Sequence, residues 1–516
     1  MTDADSDVDA AGGQDAVIAF LEDPGTHGGQ PVERIDTHGA IVFLAGDRAL
    51  KLKRAVRFPY MDFSTRERRR AACEAELALN RRTAPDLYRA VEPVVRRSDG
   101  TLATGGSGAV LDWVVVMHRF DGDRLFDRMA GRGALTPDLM RHLADAIAAF
   151  HAAAPERRDA GGAAAMAAVS DGNLAELAQS PALFPPPLVD RLAAASRTAL
   201  ARHGALMDAR RDAGRVRHCH GDLHLRNIVL HDGRPTLFDC IEFDDSLAVV
   251  DVLYDLAFLL MDLDHRGLRP LGNAVLNRYL EVTGEHGGLA LLPLFLSVRA
   301  AVRAKVDAAA AAAQEDGERA AGLRADARRY LEQALASLEP PPPRLVAVGG
   351  LSGTGKTTVA RGLAPAIGPA PGAVVLRSDV LRKRLHGVAE TTRLPPEAYT
   401  PAATAAVYAA IADAAAAALA AGHAVVADAV YARPEERQAI AAVAAAAGVP
   451  FHGVWLEAPA PVREQRVTGR CGDASDATAE VVHRQESYDP GPLDWVPVAA
   501  GGDPAAVLDA ARERLS

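Results

Sequence analysis

The stretch "HCHGDLHLRNIVL", residues 218–230, carries Asp222 and, five residues later, Asn227. An Asp and an Asn at this spacing suit a loop in which the carboxylate takes a proton from a hydroxyl group and the amide oxygen holds a magnesium ion. A lone Asp beside a Gly is usually a turn residue. The interpretation therefore depends on what else the chain supplies for this loop.

A phosphoryl-transfer site of the protein-kinase type needs a second carboxylate for the metal. The candidate is Asp239 in "RPTLFDCIEFDD". The segment between Asn227 and Asp239 reads as a β-hairpin with its turn at Asp232-Gly233. Because such a hairpin brings Asp239 back beside Asn227, we predict that both side chains hold magnesium.

The same type of site needs a strand Lys for the nucleotide phosphates and a helix Glu that fixes this Lys. Residues 34–54 read as two strands joined by a turn at Gly46-Asp47, and "ALKLKR" offers Lys51 and Lys53 on one face. Apolar neighbours on both sides of Lys51 suggest a more buried strand centre, so Lys51 is preferred. A helix from about residue 64 to 82 offers Glu74 or Glu76, and Glu76, next to an apolar residue, is preferred.

"HGDLHLRN", "FDCIEF" and "DVLYDLAFL" together resemble the aminoglycoside phosphotransferase family, over roughly residues 30–338. The resemblance implies an α+β two-lobed fold of the protein-kinase-like type, with the small lobe ending near residue 117. It implies that Asp222 is the catalytic base, and that Asp251 or Asp255 braces the catalytic loop. His220 is expected to fix that loop by hydrogen bonding. One departure is that "DTHGA" offers only Gly39 where a Gly-rich loop would cover the phosphates.

A second phosphate-binding device lies in "VAVGGLSGTGKTTVARGLA", residues 346–364. It reads as a strand, a Gly-rich turn and a helix, the arrangement in which backbone N–H groups and a helix N-terminus cradle phosphates. The Lys of this P-loop would reach the β and γ oxygens, and the following Thr would hold magnesium. The predicted nucleotide-binding residues are Gly350, Gly353, Gly355, Lys356, Thr357 and Thr358.

Two further strands of this half end in an Asp, and such ends of parallel strands face the ligand crevice. Asp379 is predicted to accept the proton of an acceptor hydroxyl, and Arg382, one helical turn on, to hold an anionic group of the acceptor. Asp428 occupies a position suited to magnesium or its waters. In "VREQRVTGRCGDASDAT", Arg466 and Arg470 are predicted to belong to a lid that brings arginine to the transferring phosphate.

"SDVLR", "VADAV" and the Arg-rich segment resemble the small P-loop kinases grouped around gluconate kinase, polynucleotide 5′-hydroxyl kinase and zeta toxin, over about residues 344–516. The resemblance implies an α/β P-loop domain with a parallel sheet. The four prolines of residues 340–343 cannot continue the preceding helical run. They predict a linker at residues 339–343 between the two domains, and the polar residues 1–29 are expected to be poorly structured.

Composition restricts the functional classes. The chain has 516 residues and a net charge of −10, which argues against broad nucleic-acid binding. Its four scattered cysteines fit free thiols in a reducing cytoplasm without a zinc site. Neither a signal peptide nor a membrane span is predicted.

The sequence thus predicts a bifunctional kinase that uses ATP and Mg²⁺, each domain phosphorylating a hydroxyl of a small molecule. One alternative is a regulator in which one domain senses ATP and controls the other. Another is a toxin-like or protein-modifying kinase with the second domain as its control. Neither the acceptors nor the oligomeric state follows from the sequence.

Overall fold

The computed structural model describes residues 14–58, 61–469 and 472–515. The strands are β1 (Val32–Asp36), β2 (Ala40–Ala45), β3 (Arg48–Lys53), β4 (Arg57–Phe58), β5 (Met61–Asp62), β6 (Tyr88–Arg96), β7 (Leu102–Thr104), β8 (Ala109–His118), β9 (Val216–His218), β10 (Ile228–His231), β11 (Arg234–Leu237), β12 (Val249–Asp251), β13 (Leu345–Gly350), β14 (Val374–Arg377), β15 (Val425–Asp428), β16 (Phe451–Glu457) and β17 (Val496–Ala499).

The first helix, α1, comprises residues 14–22. The others are α2 (Arg66–Asn80), α3 (Phe126–Gly131), α4 (Pro137–Ala153), α5 (Gly162–Ala178), α6 (Pro186–Asp212), α7 (Asp245–Ala248), α8 (Val252–His265), α9 (Arg269–Thr283), α10 (Leu292–Ala312), α11 (Gly317–Leu338), α12 (Lys356–Leu363), α13 (Ser378–Leu385), α14 (Pro401–Ala420), α15 (Pro434–Ala447), α16 (Ala460–Thr468), α17 (Ala479–Gln485) and α18 (Pro504–Glu513).

The chain forms two compact units, the first from residues 1–165 and 208–259 and the second from residues 166–207 and 260–516. The predicted kinase domain of residues 30–338 is divided between them, because residues 166–207 and those from 260 to the proline run belong with the P-loop half. The proline run itself lies between α11 and β13, in a segment without regular secondary structure.

The first unit is built on a six-stranded antiparallel sheet of order β1-β2-β3-β8-β6-β7. Alternation along β3 sends Leu50 and Leu52 to one face, where they pack with Val17 and Leu21 of α1. Residues 14–22 therefore complete the core, and the expectation of a poorly structured N-terminus is wrong from residue 14 onward; residues 1–13 lie outside the described part. Helix α2 packs on the opposite face, with Cys73 against the sheet.

Residues 34–54 contain three strands rather than the predicted two. A turn at Thr37–Gly39 separates β1 from β2, and Thr37 closes it by accepting the backbone N–H of Ala40 on Oγ1 (3.0 Å). The missed turn carries a single Gly, whereas the turn that was predicted, at Gly46, uses a backbone φ of +56° that favours Gly. The predicted hairpin at Asp232-Gly233 is present as β10 and β11.

The second unit contains a five-stranded parallel sheet of order β14-β15-β13-β16-β17. The fold class predicted for this half, an α/β P-loop domain with a parallel sheet, is confirmed. Helix α14 is long and apolar enough to cross a membrane by length and composition, and no other helix in the described residues is. Most of its side chains are alanine, and it contacts β14 and β15 as a flanking helix of the sheet.

Candidate active sites

The loop between β9 and β10 holds Asp222 in a fixed orientation. The Nδ2 group of Asn227 donates to Asp222 Oδ2 (2.9 Å) and to the Asp222 carbonyl (3.0 Å). The backbone N–H groups of His220 and Gly221 donate to the carboxylate of Asp255 at 3.2 and 2.8 Å. Since Asp255 is fully buried, it anchors the loop from helix α8.

Of the two carboxylates considered for this bracing role, the structure places only Asp255 at the loop. Asp251 instead pairs with the guanidinium of Arg210 at 2.7 and 2.9 Å. His220 contributes as expected, because its Nε2 lies 2.9 Å from the Phe238 carbonyl. This contact joins the loop to the end of the β10–β11 hairpin.

The hairpin returns the chain so that Asp239 lies beside Asn227. The N–H of Phe238 donates to the Asn227 carbonyl at 3.0 Å, and Asp239 follows directly. Asp239 has a φ of +63°, a strained value for a residue with a Cβ. Its side chain is 41% exposed, the most open carboxylate of this group. Asp222, Asn227 and Asp239 thus supply carboxylate and amide oxygens at one place, which is the donor set that magnesium prefers.

Both candidate lysines reach the same glutamate. Lys51 Nζ lies 2.8 Å from Glu76 Oε1 and 2.5 Å from Asp239 Oδ1. Lys53 Nζ lies 2.5 Å from Glu76 Oε2 and pairs with Glu242. Burial alone would raise the pKa of Glu76, but the two ammonium groups hold this pKa at about 2.

The ground for preferring Lys51 was wrong, because Lys53 is the more buried of the two, with 3% of its side chain exposed against 14%. Lys51 differs from Lys53 because it contacts Asp239, the most exposed carboxylate of the group. Glu74 lies on the exposed face of α2, where it pairs with Arg70 at 2.9 Å. Sequence reasoning missed Glu242, whose only signal was its place three residues after Asp239.

The P-loop of the second unit follows β13. Gly350, Gly353 and Gly355 have φ values of +137°, +85° and +92°. A Cβ on Gly350 would lie 2.6 Å from the Leu456 carbonyl oxygen, and one on Gly353 would lie 2.5 Å from that of Arg463. Only glycine fits this tight loop. Helix α12 begins at Lys356 without a side-chain cap, so its first N–H groups point toward the loop.

The predicted magnesium ligands of this half meet in the structure. Thr357 Oγ1 donates to Asp428 Oδ2 at 2.6 Å, which joins the start of α12 to the end of β15. A hydroxyl and a carboxylate in contact are hard oxygen ligands, and they fit a magnesium ion. Lys356 Nζ donates to the Leu351 carbonyl at 3.1 Å, across the loop. Thr358 is exposed on α12.

Asp379 lies at the end of β14, at the start of α13. Burial and the neighbouring Asp428 raise the pKa of Asp379, while Arg377 and Lys356 oppose this rise. The Asp379 carboxylate therefore interacts electrostatically with Asp428, the predicted magnesium ligand, and with the P-loop lysine, where a proton acceptor would act.

The predicted functional arginines of this half, Arg466 and Arg382, have different surroundings in the structure. Arg466 reaches the P-loop, with Nη1 near the Thr354 carbonyl (3.4 Å) and 2.8 Å from that of Ala500. Arg382 is buried, donates to the Ala398 carbonyl (2.6 Å) and stacks on Tyr399. This geometry does not present Arg382 to an anionic acceptor. Arg470 lies outside the described residues.

Sequence reasoning also missed the residues that fix these elements. Arg377 is buried and pairs with Glu390 (3.1 Å) and Asp473 (2.8 Å). Gln485 accepts the N–H of Ser352 in the P-loop at 2.7 Å. The polar loop that contains Asp473 was visible in the sequence, but its partners are distant in the chain and carried no local signal.

Comparison with known proteins identifies both halves. Residues 43–292 match the phosphotransferase enzyme family, and residues 345–490 match an AAA domain. A protein of Mycobacterium tuberculosis strain H37Rv, described only as uncharacterized, is 33% identical over 468 residues, which are 88% of this chain and 90% of that protein. The chain belongs to the same family. A Mycobacterium bovis protein matches to the same extent.

Among solved structures, a choline/ethanolamine kinase family protein from Mesorhizobium loti is 18% identical, covers 63% of this chain and 99% of its own, and has a TM-score of 0.39. The APS kinase CysC of Mycobacterium tuberculosis is 21% identical, covers 34% and 98%, and has a TM-score of 0.26.

This chain therefore joins two kinase-type domains. The predicted resemblance to aminoglycoside phosphotransferases and to P-loop kinases is confirmed. This chain is an ATP-dependent kinase.

Proposed function

We propose that the protein is a bifunctional cytoplasmic kinase, in which each half transfers the γ-phosphate of ATP to a hydroxyl of a small molecule. The observation that carries the proposal is that each half keeps a proton acceptor beside metal-type ligands. In the first unit these are Asp222 with Asn227 and Asp239, and in the second they are Asp379 with Thr357 and Asp428. A domain that only sensed nucleotide would have no use for a proton acceptor beside the metal ligands.

In the first site, Asp222 accepts the proton of the acceptor hydroxyl, and Asn227 orients its carboxylate through the 2.9 Å hydrogen bond. Lys51 binds the nucleotide phosphates, and Glu76 holds Lys51 in place. Asn227 and Asp239 hold magnesium, which neutralises phosphate charge when bound. Because Lys51 already touches Asp239, the phosphates and the metal are bound at adjoining positions.

In the second site, the P-loop backbone and Lys356 bind the phosphates, with Gly350, Gly353, Gly355 and Thr358 completing the loop and the start of α12. Thr357 and Asp428 hold the metal, and Asp379 accepts the acceptor proton. Arg466, which reaches the P-loop, would bring its charge to the transferring phosphate, and from the sequence alone we assign Arg470 the same role. The acidic balance of the chain disfavours a nucleic-acid acceptor in either site.

The test uses two full-length variants, Asp222→Asn and Lys356→Ala, each incubated with γ-labelled ATP and a small-molecule extract. Loss of a positioned base costs about 10²–10⁴ in rate. We expect Asp222→Asn to lose one set of labelled products while it still binds ATP, and Lys356→Ala to lose a different set. If Lys356→Ala abolishes all labelled products, the P-loop half is a regulator of the first site and the bifunctional proposal fails.

A further inference from the structure

Helix α9 covers the free edge of the parallel sheet in the second unit. Strand β14 is the edge strand, so its outer N–H and C=O groups have no neighbouring strand. Asn277 supplies one partner of each kind at this edge, because its Oδ1 accepts the Val375 N–H (2.7 Å) and its Nδ2 donates to the carbonyl of Ala373, the residue before β14 (3.2 Å). Asn273 donates to the same carbonyl at 3.0 Å. Helix α9 belongs to the segment that matches the phosphotransferase enzyme family.

The residue after Asn277 begins a chain of ion pairs that leads to the P-loop site. Arg278 Nη1 pairs with Glu390, whose Oε1 lies 3.1 Å from Arg377 Nη1. Arg377 in turn contacts Asp473 at 2.8 Å and lies with its Nε 3.9 Å from Asp428 Oδ2. Asp428 is the carboxylate that accepts the Thr357 hydroxyl.

Because these ion pairs are largely buried, the position of each charged side chain depends on the charges of its partners. The Arg377 side chain is 2% exposed, and those of Arg278 and Glu390 are 21% and 23% exposed. Charges in such surroundings are weakly screened, so a change in one partner is felt by the next. Glu281 of α9 also faces this group, with Oε2 3.6 Å from Arg278 Nη1.

We propose that Arg278 is a positioning residue of the P-loop kinase, so that a helix from the phosphotransferase half completes the second catalytic site. Glu390 is shared by Arg278 and Arg377. With Arg278 present, part of the Glu390 charge is neutralised, and Arg377 stays between Glu390 and the carboxylates of Asp473 and Asp428. Without Arg278, Glu390 draws Arg377 toward itself and away from Asp428, which disturbs the metal ligand. The inference rests on the magnesium role proposed for Asp428.

The experiment measures how much Mg²⁺ is needed for half-maximal AMP-PNP binding by the full-length chain. All variants carry Lys51→Met, which weakens the first nucleotide site. We expect Arg278→Ala to raise the required Mg²⁺ concentration by about tenfold, the scale of one lost charge contact, and to leave binding in EDTA unchanged. Arg278→Lys keeps the charge and should restore most of the wild-type value.

Two comparisons make the result specific. In a Glu390→Gln background, Arg278→Ala should have no further effect, because the charge that Arg278 neutralises is gone. The matched control is Arg329→Ala, which breaks an exposed pair with Asp326 in the same unit and should leave the Mg²⁺ requirement unchanged. General damage to the fold would shift binding in EDTA as well.

The proposal is overturned if Arg278→Ala leaves the Mg²⁺ requirement within twofold of its background, or shifts it equally with Glu390→Gln present. If Arg278→Ala does not fold, Arg278→Gln takes its place, because it removes the charge but keeps most of the side chain; the proposal requires that it raise the Mg²⁺ requirement alone and not with Glu390→Gln present, and it is overturned if no rise is seen. A different result is expected if the proposed function of the P-loop site is itself wrong. In that case Asp428→Asn leaves the Mg²⁺ requirement unchanged, or Lys356→Ala leaves nucleotide binding intact.

Discussion

At the scale of single residues, Glu76 is the carboxylate that two lysines share. Lys51 and Lys53 occupy the same face of β3, as strand alternation requires, and both reach Glu76. Their second partners separate them, because Asp239 is 41% exposed whereas the Glu242 side chain is 5% exposed. One lysine therefore borders the open part of the site, and the other belongs to the interior.

This difference predicts opposite phenotypes for two matched substitutions. We expect Lys51→Met to lower first-site turnover by about 10²–10³, the effect of removing one charge-stabilising donor, with little change in stability. We expect Lys53→Met to lower the free energy of unfolding by about 3–5 kcal/mol, because it leaves the buried carboxylate of Glu242 without its cation and Glu76 with Lys51 alone. Urea unfolding and ATP turnover, measured on both variants, check this. Equal losses of turnover without a stability difference would contradict the assignment.

At the scale of secondary-structure elements, a side chain of helix α9 makes hydrogen bonds to the edge of β14 that a neighbouring strand would otherwise make. An uncovered edge strand offers unpaired N–H and C=O groups for association with other chains. Asn277 satisfies one group of each kind on β14 with its single amide. A carboxamide carries a donor and an acceptor side by side. An apolar residue at this position would leave the Val375 N–H unpaired, while the Ala373 carbonyl would keep its hydrogen bond from Asn273.

Two substitutions at Asn277 separate the donor from the acceptor. Asn277→Leu removes both, and we expect the free energy of unfolding to fall by about 1–3 kcal/mol, because the Val375 N–H is left buried and unpaired while Asn273 still donates to the Ala373 carbonyl. Asn277→Asp keeps the acceptor for the Val375 N–H but sets a carboxylate against the Ala373 carbonyl, so it should also destabilise. The control is Val282→Ala on the same helix, at a position that is 50% exposed. A stability of Asn277→Leu equal to that of this control would refute the capping role.

At the scale of the whole molecule, a buried histidine links the stability of the second unit to pH. His423 is fully buried, and its Nε2 lies 2.9 Å from the Leu289 carbonyl. A carbonyl only accepts, so Nε2 carries the proton, and Nδ1 is buried without a hydrogen-bond partner. Burial lowers the pKa of His423 to about 4, from 6.5, although the bond to Leu289 opposes this.

Because the folded-state pKa lies below the unfolded one, the unfolded chain takes up the proton first as the pH falls. The contribution of His423 is complete above about pH 6.5 and is lost as the pH falls toward 4. We expect a loss of about 2 kcal/mol by pH 5. His423→Gln keeps a donor for Leu289 but does not titrate, so its unfolding free energy should change less between pH 7 and 5. His483→Gln, at a side chain that is 62% exposed, should behave like wild type.

Cutting the chain at the proline run should also lower the stability of the P-loop part. A fragment of residues 344–516 lacks α9, so the edge of β14 is uncovered. We expect this fragment to melt at a lower temperature than the second unit of the intact chain, and to aggregate more readily. Calorimetry and light scattering on both proteins test this. A fragment that stays monomeric with an unchanged melting temperature would show that α9 is dispensable.

The sequence was sufficient wherever the determining residues are neighbours in the chain. The P-loop and the "HGDLHLRN" loop place their glycines, Lys356, Asp222 and Asn227 within a few residues, so spacing alone indicated the chemistry. The hairpin turn at Asp232-Gly233 was predictable for the same reason. The parallel sheet was implied by the resemblance to the small P-loop kinases.

The rest depends on contacts between distant residues. Asn277 and Val375 are 98 positions apart, and no local pattern connects them. The choice between Asp251 and Asp255 likewise required knowing which carboxylate faces the loop. Helix α1 was missed because the polar start of the chain masked "AVIAFLE", whose Val17 and Leu21 pack against the sheet.

The contact of α9 with the edge of β14 also has a consequence for folding during translation. A ribosome synthesises α9 before β14, so the partner of the edge strand has already emerged when that strand appears. The nascent strand need never present a bare edge to its neighbours. A permuted gene that placed residues 344–516 first would reverse this order. Its product would depend on chaperones during translation, even though the finished protein had every contact of the natural one.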